Sequence, residues 1–249
     1  PIMCGSTVHL AGGTPIYVDV NKDSFLMDYE DLKLKISKNT KAILAVHMYS
    51  GVCDLKKLKK ICSKHKLILI EDCAEAVGAR DNNNILVGTA GDISCWSFQS
   101  AKQLTCGDGG IISTNSKNFA KKIRKNSNLG FKSLDADGDK ITIKKNDRQN
   151  PSYKRFDKIG YNYRMNQFSA AIALAQFENI DYFIKKRRRM GIEFEKNLKK
   201  NKYFKIQKIS PNTFSTYYTF AAILKNNNKI RWKNFRKKFI ENGGDPIYA

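Results

Sequence analysis

Leu67-Ile68-Leu69-Ile70-Glu71-Asp72 is an unbroken apolar run that stops abruptly on two carboxylates. Apolar residues at every position, without alternation, fit a strand covered on both faces, as in a parallel sheet. Just upstream, Leu55, Leu58, Ile61, Cys62 and His65 form an inward stripe at helical spacing. Lys56, Lys57, Lys59 and Lys60 make the wet face of that helix, and Asp54 stands where an N-cap is wanted. Before the helix, Lys41 to Tyr49 is another strand with apolar residues on both faces. Working outward, Ile16 to Val20 reads as a buried strand and Asp28 to Ile36 as a short helix. Ile93 to Phe98 and Gly110 to Thr114 read as two further strands, and Phe119 to Asn126 as a helix. Strands alternating with helices at this spacing predict an α/β fold around a mostly parallel sheet. Ligands of such sheets gather at the carboxyl ends of the strands, here Tyr49, Asp72 and Phe98.

The second half is organised differently. Residues 130–158 are polar with little period and predict a long surface loop or excursion. A helical period returns from Asn166 to about Leu198, as one long helix or two abutting ones. Thr216 to Leu224 predicts a strand. Arg231 to Asn242 predicts a helix with Trp232, Phe235, Phe239 and Ile240 inward, stopped by Gly243-Gly244. The expected division is a large domain over residues 1–183 and the start of a smaller α/β domain over residues 184–249. A chain that opens without Met and stops at Pro246-Ile247-Tyr248-Ala249 is expected to be a fragment of a longer protein.

With 249 residues, 41% apolar and 11% aromatic, the chain can bury a large core, which excludes a disordered or disulfide-scaffold protein. Its longest charge-free window, Ile209 to Leu224, is interrupted by Ser, Thr, Pro and Asn, whereas a membrane span needs about twenty predominantly apolar residues. Pro1-Ile2-Met3-Cys4 carries no basic leader. The six cysteines have neither zinc-ligand nor Cys-x-x-Cys spacing, and His9, His47 and His65 are scattered. No metal is expected. Several cysteines sit in apolar runs as reduced thiols, so a cytoplasmic location is expected. Net charge is +22, and nearly all the excess follows residue 110, with Lys185-Lys186-Arg187-Arg188-Arg189 as its densest run. Such a half could be a nucleic-acid footprint. Lys, however, outnumbers Arg severalfold, Asn recurs in runs such as Asn82-Asn83-Asn84, and no nucleic-acid-binding module is present. Neither a nucleic acid nor a membrane is expected as a partner.

Three segments carry chemistry when read together: Ile70 to Ala79, Ser97 to Gly110, and Gly160-Tyr161-Asn162-Tyr163-Arg164-Met165-Asn166. Singly, each is ordinary. A lysine is usually a solvated surface residue, and an Asp at a strand end is usually a turn former. Gly107-Asp108-Gly109-Gly110 lacks the Lys-Ser/Thr of a Walker loop and is compatible with a hairpin turn. Jointly they meet a specific demand. A Schiff-base lysine must be held on a constrained turn, partly desolvated. Pyridoxal phosphate needs a carboxylate at its ring nitrogen, which Asp72 can supply, and hydroxyl or backbone donors at its phosphate, which Ser97 suits. Glycines after Lys102 allow close backbone approach.

These segments resemble the DegT/DnrJ/EryC1/StrS group, the sugar-aminotransferase branch of the fold-type I pyridoxal-phosphate enzymes. The likeness also covers Gly12 to Val20 and Val46-His47-Met48-Tyr49-Ser50-Gly51, and its most specific part is Ser97-Phe98-Gln99-x-x-Lys102-x-x-x-x-Gly107-Asp108-Gly109-Gly110. The resemblance implies a three-layer α/β/α architecture with a mostly parallel mixed sheet, and pyridoxal 5'-phosphate as cofactor. It implies Lys102 as the internal-aldimine lysine and later proton shuttle, and Asp72 at the pyridinium nitrogen. Glu75 would lie near the phenolic oxygen, where relatives commonly carry Gln, and Ser97 at the phosphate. Asn162 would reach the phosphate of a neighbouring subunit's cofactor, making a homodimer with shared sites. His47 and Arg164 belong to matching motifs and are as readily structural. The implied reaction takes an amino group from glutamate or glutamine to a keto group on a nucleotide-linked deoxysugar, for surface polysaccharide or natural-product synthesis. Two departures stand out. The N-terminal Gly-Thr/Ser phosphate loop of relatives is absent, and Pro1, Ile2 and Met3 stand where a ring-stacking aromatic usually lies nearby. Rival expectations are the family's dehydratase branch, which typically carries His at the lysine position, a fold-type I enzyme acting on amino acids, and a non-enzymatic basic nucleic-acid-binding protein.

Overall fold

A computed structural model describes residues 1–132, 146, 149–225 and 231–245. In chain order the elements begin with α1 (Ile2–Leu10) and α2 (Tyr29–Lys35), followed by β1 (Ala42–Val46), α3 (Leu55–His65) and β2 (Ile68–Asp72). Then come β3 (Ile93–Ser97), β4 (Gly110–Ser113) and α4 (Lys117–Ser127). The second half holds α5 (Gln167–Glu178), α6 (Ile180–Leu198), β5 (Phe204–Ile206), β6 (Ala222–Leu224) and α7 (Trp232–Glu241).

β1 to β4 form one sheet in sequence order. β1 pairs with β2 and β2 with β3 in parallel, while β4 returns antiparallel along β3. The fold is therefore α/β with a mostly parallel mixed sheet. Its core holds two clusters. In one, Leu32, Ile43, Ala45, Cys53, Leu58, Ile61, Cys62 and Leu69 pack together, which is why the stripe of α3 and alternate positions of β1 and β2 had to be apolar. A second cluster joins Val52, Cys73, Ala76, Ala79 and Val87, with Trp96 against it. Each fully buried Leu or Val contributes roughly 1.5–3 kcal/mol. The starts of α2, α3, α4 and α5 are capped by side chains. Asp28 accepts from the Glu30 and Asp31 amides, Asp54 from Lys57, Ser116 from Phe119 and Asn166 from Ser169.

Two expectations need correction. Ile16 to Val20 is extended but is no sheet strand. It makes only an isolated bridge, Val20 to Met27, and Ile16, Tyr17 and Val20 are exposed. Extended backbone becomes a strand only with a partner, and the segment is tied instead by Lys35 Nζ to the Tyr17 carbonyl and by the Asp19 amide to Asp31. The strand expected over Thr216–Leu224 shrinks to β6. Tyr217 takes a positive φ of 47°, which breaks the extended run, and Ser215, Thr216 and Tyr217 are buried instead in a turn against α6. The helical stretch from Asn166 resolves into two abutting helices meeting at Asn179. Of the loop expected over 130–158, residues 133–145, 147 and 148 lie outside the described residues, as does the chain's last segment, Pro246 to Ala249. The ends of that loop are paired, with the Phe131 and Phe156 rings 4.8 Å apart and the Lys132 amide on the Arg155 carbonyl.

Candidate active site

The carboxyl ends of β1, β2 and β3 converge on Lys102. After Ser97, the last residue of β3, the chain makes a cinched loop before returning as β4. The Phe98 amide donates to the Gly109 carbonyl at 2.8 Å, and the Cys106 amide to the Phe98 carbonyl at 3.0 Å. Inside this loop the Lys102 amide donates to Gln99 at 2.9 Å. Gln103, Leu104 and Cys106 are buried and anchor the turn from below. Gly107 has φ +88°, a region that disfavours side chains. At Gly109 a Cβ would lie 2.7 Å from Cys106 Sγ, so a side chain there would spread the loop.

The Lys102 side chain is 14% exposed, with Nζ 3.5 Å from Glu75 Oε1. Nζ also lies 4.5 Å from the centroid of the Tyr218 ring, a cation–π contact. The other oxygen of Glu75 accepts from the Tyr49 amide at 3.0 Å, and Tyr49 turns the chain out of β1 with φ +60°. Asp72, the last residue of β2, accepts the Ala74 amide on Oδ1 at 3.1 Å and the Cys4 thiol on Oδ2 at 3.4 Å. Burial, and then the charge of Asp72 beside it, pushes the Cys4 thiol up to about 11, so it stays protonated and can donate. Ser97 stands opposite Gly110 in the β3–β4 ladder, its hydroxyl accepting a long 3.4 Å bond from the Gln99 amide. Lys102 and Glu75 are thus brought into contact, and Asp72 and Ser97 terminate adjacent strands.

Asn162 is exposed, on a short extended segment that runs beside residues 126–129. There the Leu129 amide donates to the Tyr161 carbonyl, Tyr163 to Ser127, and Arg164 to Asn128 Oδ1 at 2.6 Å. Tyr161 and Tyr163 stack at 5.1 Å. His47 is structural. Its Nδ1 accepts from the Cys53 amide at 3.2 Å, which assigns the ring proton to Nε2, facing Glu71 Oε2 at 3.3 Å. Glu71 is fully buried and accepts from the amides of Gly88, Ala90 and Gly91. Burial alone would raise its pKa, but the hydrogen bonds from His47 and from the Gly88 and Gly91 amides outweigh it and hold the carboxyl below its usual range. His47, Glu71 and Cys73 lie close enough to share an ion, yet the oxygens of Glu71 are already committed to these donors.

Sequence reasoning missed Tyr218 over Lys102 and Cys4 on Asp72. Tyr49 was visible as a strand end, but its amide bond to Glu75 was not. The basic run, considered as an electrostatic footprint, is partly absorbed by the fold. Arg187 donates to the Tyr218 carbonyl, while Arg188 donates to the Ser215 carbonyl and lies over the Phe214 ring.

A model of the DegT/DnrJ/EryC1/StrS aminotransferase family matches residues 4–244. The chain belongs to that family. It is 35% identical to a GDP-perosamine synthase of Vibrio cholerae over 221 residues, 88% of this chain and 54% of the relative. Its fold superposes on the crystal structure of Streptomyces venezuelae DesV, solved with a ketimine intermediate, with TM-score 0.82 and 25% identity. That match covers 98% of this chain and 60% of the other. An Escherichia coli GDP-4-keto-6-deoxy-D-mannose-3-dehydratase, solved with bound hydrated pyridoxal phosphate, matches with TM-score 0.79 and 26% identity over 91% of this chain and 57% of the other. The chain spans about half the length of the curated relatives it matches. Fold and family agree with the sequence reading. Among the described residues, no helix is long and apolar enough to cross a membrane.

Proposed function

We propose that this chain carries the catalytic core of a pyridoxal-phosphate-dependent aminotransferase. It would move an amino group from glutamate or glutamine to a keto group on a nucleotide-linked deoxysugar. The observation that carries this reading is the Lys102 amine, largely shielded at the carboxyl end of a parallel sheet between Glu75 and the Tyr218 ring. The donor set fits the cofactor: an amine for its aldehyde on Lys102, a carboxylate for its ring nitrogen on Asp72, and a hydroxyl for its phosphate on Ser97. When bound, pyridoxal phosphate supplies the electron sink that acidifies the substrate C–H bond.

The chain's own residues do the rest. With the cofactor bound, Asp72 would hold its ring nitrogen protonated, and Glu75, which contacts Lys102, would face its phenolic oxygen. Lys102 takes a proton from the reacting carbon and returns it, as general base and then general acid. Tyr218 covers the amine and keeps water from its upper side. Asn162, which is exposed, suits a role at the phosphate of a second subunit's cofactor, in a homodimer. A larger unit over 1–183 and a smaller one from 184 would be joined by α6, which runs through that boundary without a break. A cytoplasmic location suits soluble nucleotide-sugar substrates. The name of the Vibrio cholerae relative supports a nucleotide sugar as acceptor, and Lys rather than His at position 102 weighs against the dehydratase branch.

The test is the visible spectrum of the full-length protein purified with pyridoxal phosphate, followed by borohydride reduction and peptide mapping. A band that bleaches with glutamate or glutamine, with the reduced cofactor fixed on Lys102, is expected. No visible band, or label on another lysine, overturns the assignment.

A further inference from the structure

We infer that Cys4 is a positioning residue for Asp72, fixing the rotation of that carboxylate so that it meets the cofactor's ring nitrogen. This rests on the proposed function. An aspartate carboxyl turns through a broad, roughly two-fold torsion, so a strand-end Asp needs donors to define its plane. Asp72 has one on each oxygen: the Ala74 amide at Oδ1 and the Cys4 thiol at Oδ2. The first is local to the turn after β2, whereas the second comes from sixty-eight residues away, on α1. Locating that thiol is the evident consequence of how α1 is docked. Gly5 is the buried residue of the helix, and a Cβ there would stand 2.0 Å from Tyr17 Oη. Neighbouring Ile2, Met3 and Leu10 are exposed. The close approach at Gly5 seats α1, and the adjacent Cys4 then reaches Asp72.

The chemistry of the thiol suits this use. A thiolate would place a second negative charge against Asp72, whereas a thiol that stays protonated donates to it. Cys95 provides an internal comparison. It is the register partner of Asp72 on β3, and burial with the charge of Asp72 also raises its pKa, yet it makes no hydrogen bond to Asp72 among the described residues.

The experiment titrates pyridoxal phosphate into the full-length wild type and the variants C4A, C4S and C95A, following the lysine-bound absorbance band. The loss of one net hydrogen bond weakens cofactor binding about fivefold in C4A. C4S, which retains a donor, and C95A stay near wild type, and urea midpoints of the cofactor-free proteins remain alike. In wild type, the cofactor also slows iodoacetamide alkylation of Cys4, read by peptide mapping, a measurement that needs no variant. Equal affinity in C4A and wild type, equal weakening in C95A, or Cys4 alkylation indifferent to cofactor overturns the inference while leaving the aminotransferase reading intact. A wild type that takes up no cofactor on Lys102 overturns both.

Discussion

The Glu71→Gln substitution is the sharpest test of how the site is held. Glu71 is fully buried, and its two oxygens divide four close donors: Oε1 takes the amides of Ala90 at 2.9 Å and Gly91 at 2.5 Å, and Oε2 takes Gly88 at 2.8 Å and His47 at 3.3 Å. Gln keeps one oxygen and replaces the other by an NH2 group. Whichever way the amide turns, two acceptor bonds are lost and N–H faces N–H. Hydrogen bonds to a charged group contribute about 1.5–3 kcal/mol each, and removing one side of a buried charged cluster costs about 3–5 kcal/mol. The expected loss is therefore about 3–5 kcal/mol, a large share of the 5–15 kcal/mol that a domain typically has. Urea unfolding of the full-length protein, monitored by tryptophan fluorescence and circular dichroism, measures it, provided the two probes give coincident transitions. Glu75→Gln is the control. Glu75 has one backbone bond and a 3.5 Å contact to Lys102, both side chains being largely shielded, and its substitution should cost less than E71Q, about 1–3 kcal/mol. An E71Q protein within about 1 kcal/mol of wild type at unchanged m would refute the account of Glu71 as the acceptor that ties residues 88–91 to β2.

Three further outcomes are expected. Tyr218→Phe keeps the ring over Lys102 and should leave cofactor loading near wild type, whereas Tyr218→Ala removes a contact worth about 0.5–2 kcal/mol and should alter the loading rate, measured by stopped-flow absorbance. Gly191→Ala would put a Cβ 2.2 Å from Tyr217 Cδ1, and that ring is tethered by its hydroxyl to Glu195. Over-packing of about 1–3 kcal/mol should outweigh about 1 kcal/mol of helix propensity, giving a lower urea midpoint. Because the folded Glu71 pKa lies below its ordinary 4.5, its stabilisation is present above that pH and lost as pH falls through the lowered value. Stability measured from pH 6 to pH 3 should therefore decline less steeply in E71Q than in wild type below about pH 4.5.

The sheet was legible because its inward positions leave no freedom: Ile43 and Ala45 of β1 and Leu69 of β2 are buried and had to be apolar, and Asp54 announces α3. What failed shares one cause. Ile16 to Val20 has a strand's composition, but strand formation depends on a partner that local sequence does not specify. Thr216 to Leu224 likewise looks extended, yet Tyr217 leaves the β region where its ring packs on Gly191 of α6. Within the site, Lys102 and Glu75, which the family resemblance implied, meet in space. Cys4 and Tyr218 were not, since each reaches the cluster across a long stretch of chain by tertiary packing, and neither residue type signals such a role alone.

The placement of Tyr218 links the second half of the chain to the Lys102 amine. Its segment is held at four carbonyls: Ser215 by Arg188, Thr216 by Gln103, Tyr218 by Arg187 and Thr219 by the Ser50 hydroxyl. Gln103 is next to Lys102 in the loop after β3, and Ser50 follows Tyr49, whose amide holds Glu75. The same few residues therefore fix both the amine and the ring above it. A backbone carbonyl accepts from arginine or glutamine whatever side chain its residue carries, so these four ties do not depend on the side chains of the residues they hold. The arginines of the basic run explain the rest: a long, always-charged side chain with several donors can span from α6 to two carbonyls that lie off any ladder. Part of what composition presented as surface charge is thus the scaffold that sets Tyr218 over Lys102.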